Sequence, residues 1–224
     1  LATVAGIGPV ALATPLDLLQ TQAPQLARLY AAYPQYGDGL SRYAAGQGFS
    51  RPVERLATVV HELIHIDSAA HQGYYIDGVY YEPYLAASAW PSLRNEEVGP
   101  WMRGDEKGNI YSLYMRATPK NTLGNALDEV NAYGQVLPFV CRNEADSADR
   151  QIRNLLGQLY VVEAFLRVAR MARPEDYRAL TRRHASAGAL KTITGRAWYA
   201  LVACGVPAAQ LPNQETRYLL ERME

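Results

Sequence analysis

Apolar residues recur at helical spacing over most of the chain, and the places where that spacing fails mark its joints. Leu16, Leu18, Leu19, Leu26, Leu29 and Tyr30 trace a helical stripe over 16–33 that is interrupted at Pro24. Tyr33-Pro34-Gln35-Tyr36-Gly37-Asp38-Gly39 reads as a turn-rich connection. Ser50-Arg51-Pro52 with Glu54 predicts a helix start, combining a cap, a first-turn proline and an early acid. Val53, Leu56, Val60, Leu63 and Ile64 carry an apolar stripe onward from it. After Ala70 the period changes. Gly73 to Tyr81 places aromatic and β-branched arms around Asp77-Gly78, which predicts a hairpin closed by a type I′ turn.

Residues 88–109, with Trp90-Pro91, Gly99-Pro100-Trp101, Gly104 and Gly108, are expected to be irregular, and Ile110 to Met115 reads as another strand. Helical spacing returns from Asn121 to Leu137 through Leu123, Leu127, Val130 and Val136. Ser147 is then expected to cap a long helix reaching about Arg173, with Pro174, Pro207 and Pro212 punctuating further helices. The predicted class is α+β, mostly α, with a small antiparallel hairpin beside the helix that starts at Pro52 and a helical C-terminal half. Residues 1–224 read as a single domain, divisible into lobes 1–116 and 117–224.

The chain has 224 residues, a formal net charge of +0 and no run of apolar residues long enough to span a bilayer. That balance offers no pull toward nucleic acid or anionic lipid, so neither is expected as a partner. The first charge is Asp17, and the chain begins at Leu1 rather than Met, which suggests a processed or trimmed product. Ala11-Leu12-Ala13 has the small-x-small form of a signal cleavage site, so an exported product, periplasmic or secreted, is slightly favoured over a cytoplasmic one. Cys141 and Cys204 are open to one disulfide or to two buried thiols, and neither belongs to a C-x-x-C pair that would ligate a metal.

One stretch carries chemistry. In Val59-Val60-His61-Glu62-Leu63-Ile64-His65 two histidines four residues apart share a helix face, about 40° apart around the axis. Glu62 between them supplies a carboxylate to take a proton from a water that a metal ion activates. A core helix carrying these three groups for no purpose would have to bury or pair each of them, at a cost of several kcal/mol. On residues 59–65 the sequence resembles the zincin metallopeptidases. The resemblance implies a zincin-like fold, a Zn²⁺ held by His61, His65 and a third protein ligand, and one position kept for water or substrate.

Two routes to the third ligand follow from that resemblance. His71 lies at the metzincin spacing, but Ser68 stands where those enzymes carry a helix-breaking glycine, and no convincing Met-turn is present despite Met102 and Met115. If the helix continued, His71 would point about 80° away from His61. Gluzincins instead draw a glutamate from a second helix, and Leu123 to Gly134, with Glu129 and the small Ala132 one turn later, looks like that helix. Glu129 is the preferred ligand. Asn95-Glu96-Glu97 imitates a ligand motif, yet Gly99-Pro100 argues against a helix there, and Asp67, Asp77 and Asp128 complete the alternatives.

Under this reading Glu62 is the general base and Tyr133 or His184 the donor to developing negative charge, Tyr133 being preferred. Tyrosine packing and a surface histidine near a helix end are the plainer accounts of those two. Asp128 or Asp67 could orient a ligating histidine, although a solvated helix position is the plainer account of either. Tyr74, Tyr75, Tyr80, Tyr81 and Tyr84 could line a peptide groove, although cross-strand packing explains them more simply. The expected activity is zinc-dependent hydrolysis of peptide bonds in a protein or peptide substrate, within the chain rather than at its ends. The alternatives are a non-catalytic zincin-like binding protein and a zinc hydrolase of a non-peptide amide.

Overall fold

The computed structural model describes residues 13–85 and 89–222. Residues 1–12, including Ala11 and Leu12 of the small-x-small tripeptide, lie outside the described residues. Thr14 and Asp17 form a reciprocal capping box that opens α1 (Pro15–Gln22), and Pro24 occupies the first turn of a separate helix, α2 (Pro24–Ala32). The stretch expected to be a turn is more regular than its glycines and proline suggest. A 3₁₀ turn at Pro34–Tyr36 runs into α3 (Gly37–Gly46), which buries Ala44.

The helix that carries the histidine pair, α4 (Pro52–His71), is continuous. Its first turn is capped from far away: the Glu144 carboxylate accepts from the backbone N–H groups of Val53 (3.1 Å) and Glu54 (2.9 Å), rather than Ser50 serving locally. It ends with Gln72 in the left-handed region and Gly73 N–H bonded to the Ser68 carbonyl. Strands β1 (Tyr74–Ile76) and β2 (Val79–Tyr81) then pair antiparallel in the register Tyr74 to Tyr81 and Ile76 to Val79. Asp77 (φ 52°) and Gly78 (φ 87°) are both left-handed, as the type I′ turn requires.

The segment expected to be irregular holds two short helices, α5 (Asn95–Val98) and α6 (Gly104–Ile110), with a 3₁₀ turn at Gly99–Trp101. The strand expected at Ile110 to Met115 is not a strand. Tyr111–Met115 continues α6 as a π turn. A short apolar run cannot by itself distinguish strand from buried helix, and here Ile110, Tyr114 and Met115 are the buried members, a spacing that suits a helical turn.

Beyond it, α7 (Leu123–Asn143) passes through Pro138 instead of ending at Leu137, because Phe139 and Val140 are buried on its far side and hold the extra turn in place. The long helix α8 (Ala145–Ala172) begins ahead of Ser147, which does not cap it. Three helices follow: α9 (Pro174–Arg182), α10 (His184–Ala203) and α11 (Gln214–Leu220).

At the centre lies α7, which packs on α4, α8 and α10. One apolar cluster joins Leu127, Val130 and Leu137 of α7 to Phe165 of α8 and Ile193 of α10. A second joins Ala132, Val136 and Val140 of α7 to Val60 and Ile64 of α4 and to Leu19 and Leu26 of α1 and α2. Buried charges tie the outer helices to α8: Glu54 of α4 pairs with Arg150 at 2.7 Å, and Glu106 of α6 takes a two-pronged contact from Arg167. Gly157 of α8 lies so close under Ile110 that a Cβ there would overlap that side chain.

Cys141 of α7 and Cys204, at the end of α10, form a disulfide across a sequence separation of 63. Closing a loop of that length restricts the unfolded chain, so the Cys141→Ser/Cys204→Ser double variant is expected to lose about 2–4 kcal/mol of stability in urea titration. Equal midpoints for the variant and the parent would show that the bridge contributes nothing.

Candidate metal centre

Helices α4 and α7 meet with one chemically loaded face each. Val60, Leu63 and Ile64 are fully buried and set the roll of α4, which leaves His61 and His65 facing α7. On α7 the fully buried Ala126, Leu127, Val130 and Ala132 do the same, and the small Ala132 lets the helices close up next to Glu129. His61 Nε2 and His65 Nε2 are 3.1 Å apart, and Glu129 Oε2 lies 3.5 Å from the first and 3.9 Å from the second. All three ligand atoms fall within 4.8 Å of one another. Ligand atoms about 2.0–2.1 Å from a tetrahedral zinc stand about 3.3–3.4 Å apart. The observed separations bracket that value, so the donor set fits the ion with small side-chain adjustments.

The surroundings of the cluster are those a cation needs. Asp128 Oδ2 lies 2.7 Å from His65 Nδ1 and accepts from the Tyr84 hydroxyl at 3.0 Å, which turns His65 Nε2 toward its partners. Burial disfavours a charged imidazole at His65, yet Asp128, helped by Glu129 and Glu62, outweighs it and raises His65 to about 9. At Glu129 burial pulls upward, but contact with His61 and the charge of His65 hold the carboxyl below its ordinary value. Three carboxylates thus converge on two imidazoles, and the local field favours positive charge. His61 Nδ1 is buried with no partner among the described residues, and its ring packs against Tyr133 at 4.3 Å between centroids.

The centre opens on a cleft of about 670 Å³ whose lining includes His61, Glu62, Glu129 and Tyr133. Asn154 of α8 donates to the Tyr133 hydroxyl at 3.2 Å, which leaves the tyrosine's own proton to point elsewhere. Burial, then the charges of Glu129 and Glu62, hold this hydroxyl above the ordinary tyrosine range, so it remains a donor. Tyr114 and Tyr43 also line the cleft, and both are raised by burial and by Glu129, with Glu62 adding at Tyr43. Sequence reasoning missed these two. Tyr114 falls in a run whose composition suits a strand, and Tyr43 lies on α3, which has no apolar stripe to mark it. Asn154 escaped notice as an unremarkable polar residue of a long helix.

The other candidate ligands are elsewhere. Because α4 runs on to His71, that residue leaves the cluster, stacks on Tyr80 at 4.3 Å and bonds the Asp67 carbonyl at 3.0 Å. Asp67 is occupied by the hydroxyls of Tyr33 (2.7 Å) and Tyr80 (2.9 Å). Glu97 caps α5 and pairs with Arg173, and Asp77 pairs with Arg196. Neither Glu96 nor the exposed His184, which opens α10, borders the cleft. Met102 and Met115 are core residues.

None of Tyr74, Tyr75, Tyr80, Tyr81 and Tyr84 borders the cleft: Tyr74 donates to the Gly124 carbonyl, Tyr75 to the Gln25 carbonyl and Tyr84 to Asp128. Compared with known protein families, curated proteins and solved structures, the chain matches none. On geometry, the three donors could hold a metal ion.

Removing an ion ligand and removing its orienting partner should differ in scale. Glu129→Ala is expected to abolish stoichiometric Zn²⁺ uptake, Asp128→Asn to weaken it about 10–100-fold, and His71→Ala to leave it unchanged. Competition against a chromophoric chelator measures all three. Retention by Glu129→Ala with loss in His71→Ala would reverse the ligand assignment.

Proposed function

We propose that this chain is a zinc-dependent peptidase in which His61, His65 and Glu129 hold the ion, Glu62 is the general base and Tyr133 an oxyanion donor. The carrying observation is convergence: donors from α4 and α7, 64 positions apart in the chain, meet at the head of a cleft that also holds a carboxylate and a protonated hydroxyl. A structural role alone gives no reason for a chargeable cluster to open on a cavity.

When bound, zinc would supply Lewis-acid polarisation of a carbonyl and a lowered pKa for water. The residues of this chain do the rest. Asp128 fixes the His65 ring, and Tyr84 fixes Asp128. Glu62, partly exposed on the cleft, is placed to accept the proton of the attacking water and return it to the leaving amine. Tyr133, held as a donor by Asn154 and kept protonated by its surroundings, meets negative charge as it develops on the carbonyl oxygen. A cleft of about 670 Å³ admits several residues of an extended peptide.

Zinc-loaded protein is expected to cleave members of a fluorescence-quenched octapeptide library, to lose that activity to phenanthroline and to regain it with added Zn²⁺. Glu62→Gln should bind zinc at full stoichiometry and lose about 10²–10⁴-fold in kcat. Tyr133→Phe should lose roughly 10–10³-fold in kcat with zinc affinity unchanged. A full zinc complement without chelator-sensitive cleavage across the library would remove the peptidase reading.

A further inference from the structure

On either side of Asn154, which serves Tyr133, two more polar side chains of α8 border the cleft without a part in the chemistry above. Gln151, Asn154 and Gln158 lie on α8 at i, i+3 and i+7, which places them on one helix face, and all three line the cleft. Gln151 and Gln158 are only 3% and 2% exposed, yet Oε1 of each accepts no hydrogen bond from the described residues.

Other buried amides of this protein are tied down by their nitrogens, and Asn95, whose Oδ1 is also unpaired, still donates to both the carbonyl and the hydroxyl of Thr118. Asn131 and Gln135 both donate to the Tyr75 carbonyl, and Gln135 also donates to Asn131. Asn143 donates to Gln22 and to the Phe139 carbonyl. A buried carbonyl without a donor forfeits its hydration and gets nothing in return, so it is kept only where something else requires it. Packing does not: Leu155, Leu159 and Phe165 supply the core side of α8.

We propose that Gln151 and Gln158 are substrate-binding residues that pair with main-chain amides of an extended peptide lying along α8, an inference that rests on the peptidase reading. A carboxamide offers both a donor and an acceptor, the complement of a peptide unit. Its terminal torsion is broad and roughly two-fold, so rotation presents either end to the cleft. Seven helical residues span about 10.5 Å, the length of about three residues of extended chain. Asn154, between the two glutamines, is committed to Tyr133, so they flank the place where the scissile carbonyl would meet that hydroxyl. Recognition through the main chain tolerates varied side chains but requires free N–H groups near the scissile bond.

The test uses zinc-loaded Glu62→Gln protein, which binds without turnover, titrated calorimetrically with penta-alanine and with its fully N-methylated analogue. Methylation is expected to weaken binding about tenfold or more. Gln151→Met and Gln158→Met, each in the same background, should lower penta-alanine affinity by a similar factor while Tm stays level or rises, since an unpaired polar group gives way to an apolar one of similar size. Equal binding of the two peptides, or no binding of penta-alanine, overturns the proposal. So does a methionine variant with lowered Tm and unchanged affinity. None of these results alters whether wild-type protein cleaves the octapeptide library, so the two readings fail separately.

Discussion

Two imidazoles and two carboxylates are brought together between packed helices, and the surrounding fold has to hold them there. His61 and His65 are set on α4, Asp128 and Glu129 on α7, and their mutual distances hold only while the two helices stay in close contact. Such a cluster costs desolvation that its internal pairing only partly offsets. The apolar residues on either side of it must therefore fix both the roll and the separation of the helices. The complete burial of Val60, Leu63 and Ile64 on one helix, and of Ala126, Leu127, Val130 and Ala132 on the other, serves that end.

The remainder of the chain supports this contact from outside. Glu144, at the junction of α7 and α8, caps the first turn of α4, and the Glu54–Arg150 pair binds the same turn to α8. The hairpin, which the aromatic pattern suggested as a groove, acts as a wedge. Its tyrosines bond to backbone carbonyls and to Asp67, while Tyr84 beyond it steadies Asp128 and, through it, His65. The side left open is bordered by α8 and by the π turn after α6, and there Tyr114, Asn154, Gln151 and Gln158 line one cleft with Glu62 and Tyr133.

What was legible in the sequence follows from local periodicity. The pairing of His61 with His65 requires only that residues 59–65 be helical, which the first-turn proline at Pro52 and the apolar stripe made plain. The Asp-Gly turn of the hairpin required only local backbone preferences. The joining of Glu129 to the histidines was readable at one remove, from an acid on a helix with a small residue one turn later. The nearby Asp128 fell into place as the residue that orients His65.

Less was legible where tertiary contacts overrode local signals. The run from Ile110 to Met115 has the composition of a strand, but it wraps against α8, where Gly157 leaves room for Ile110, and a π turn buries Tyr114 and Met115 together. Pro138 marks a helix end in sequence, yet buried Phe139 and Val140 carry α7 past it. The cap of α4, the pairing of Cys141 with Cys204 and the cleft-facing side of α8 all join residues distant in the chain, and no local pattern encodes them. Which residues can act together on one helix, the two imidazoles and the carboxylate between them, was settled by local turn geometry, and the acid opposite was at least suggested by its own helix. The hydroxyls and amides around the cluster and the side on which it opens came from the packing of helices, which no single helix's turn encodes.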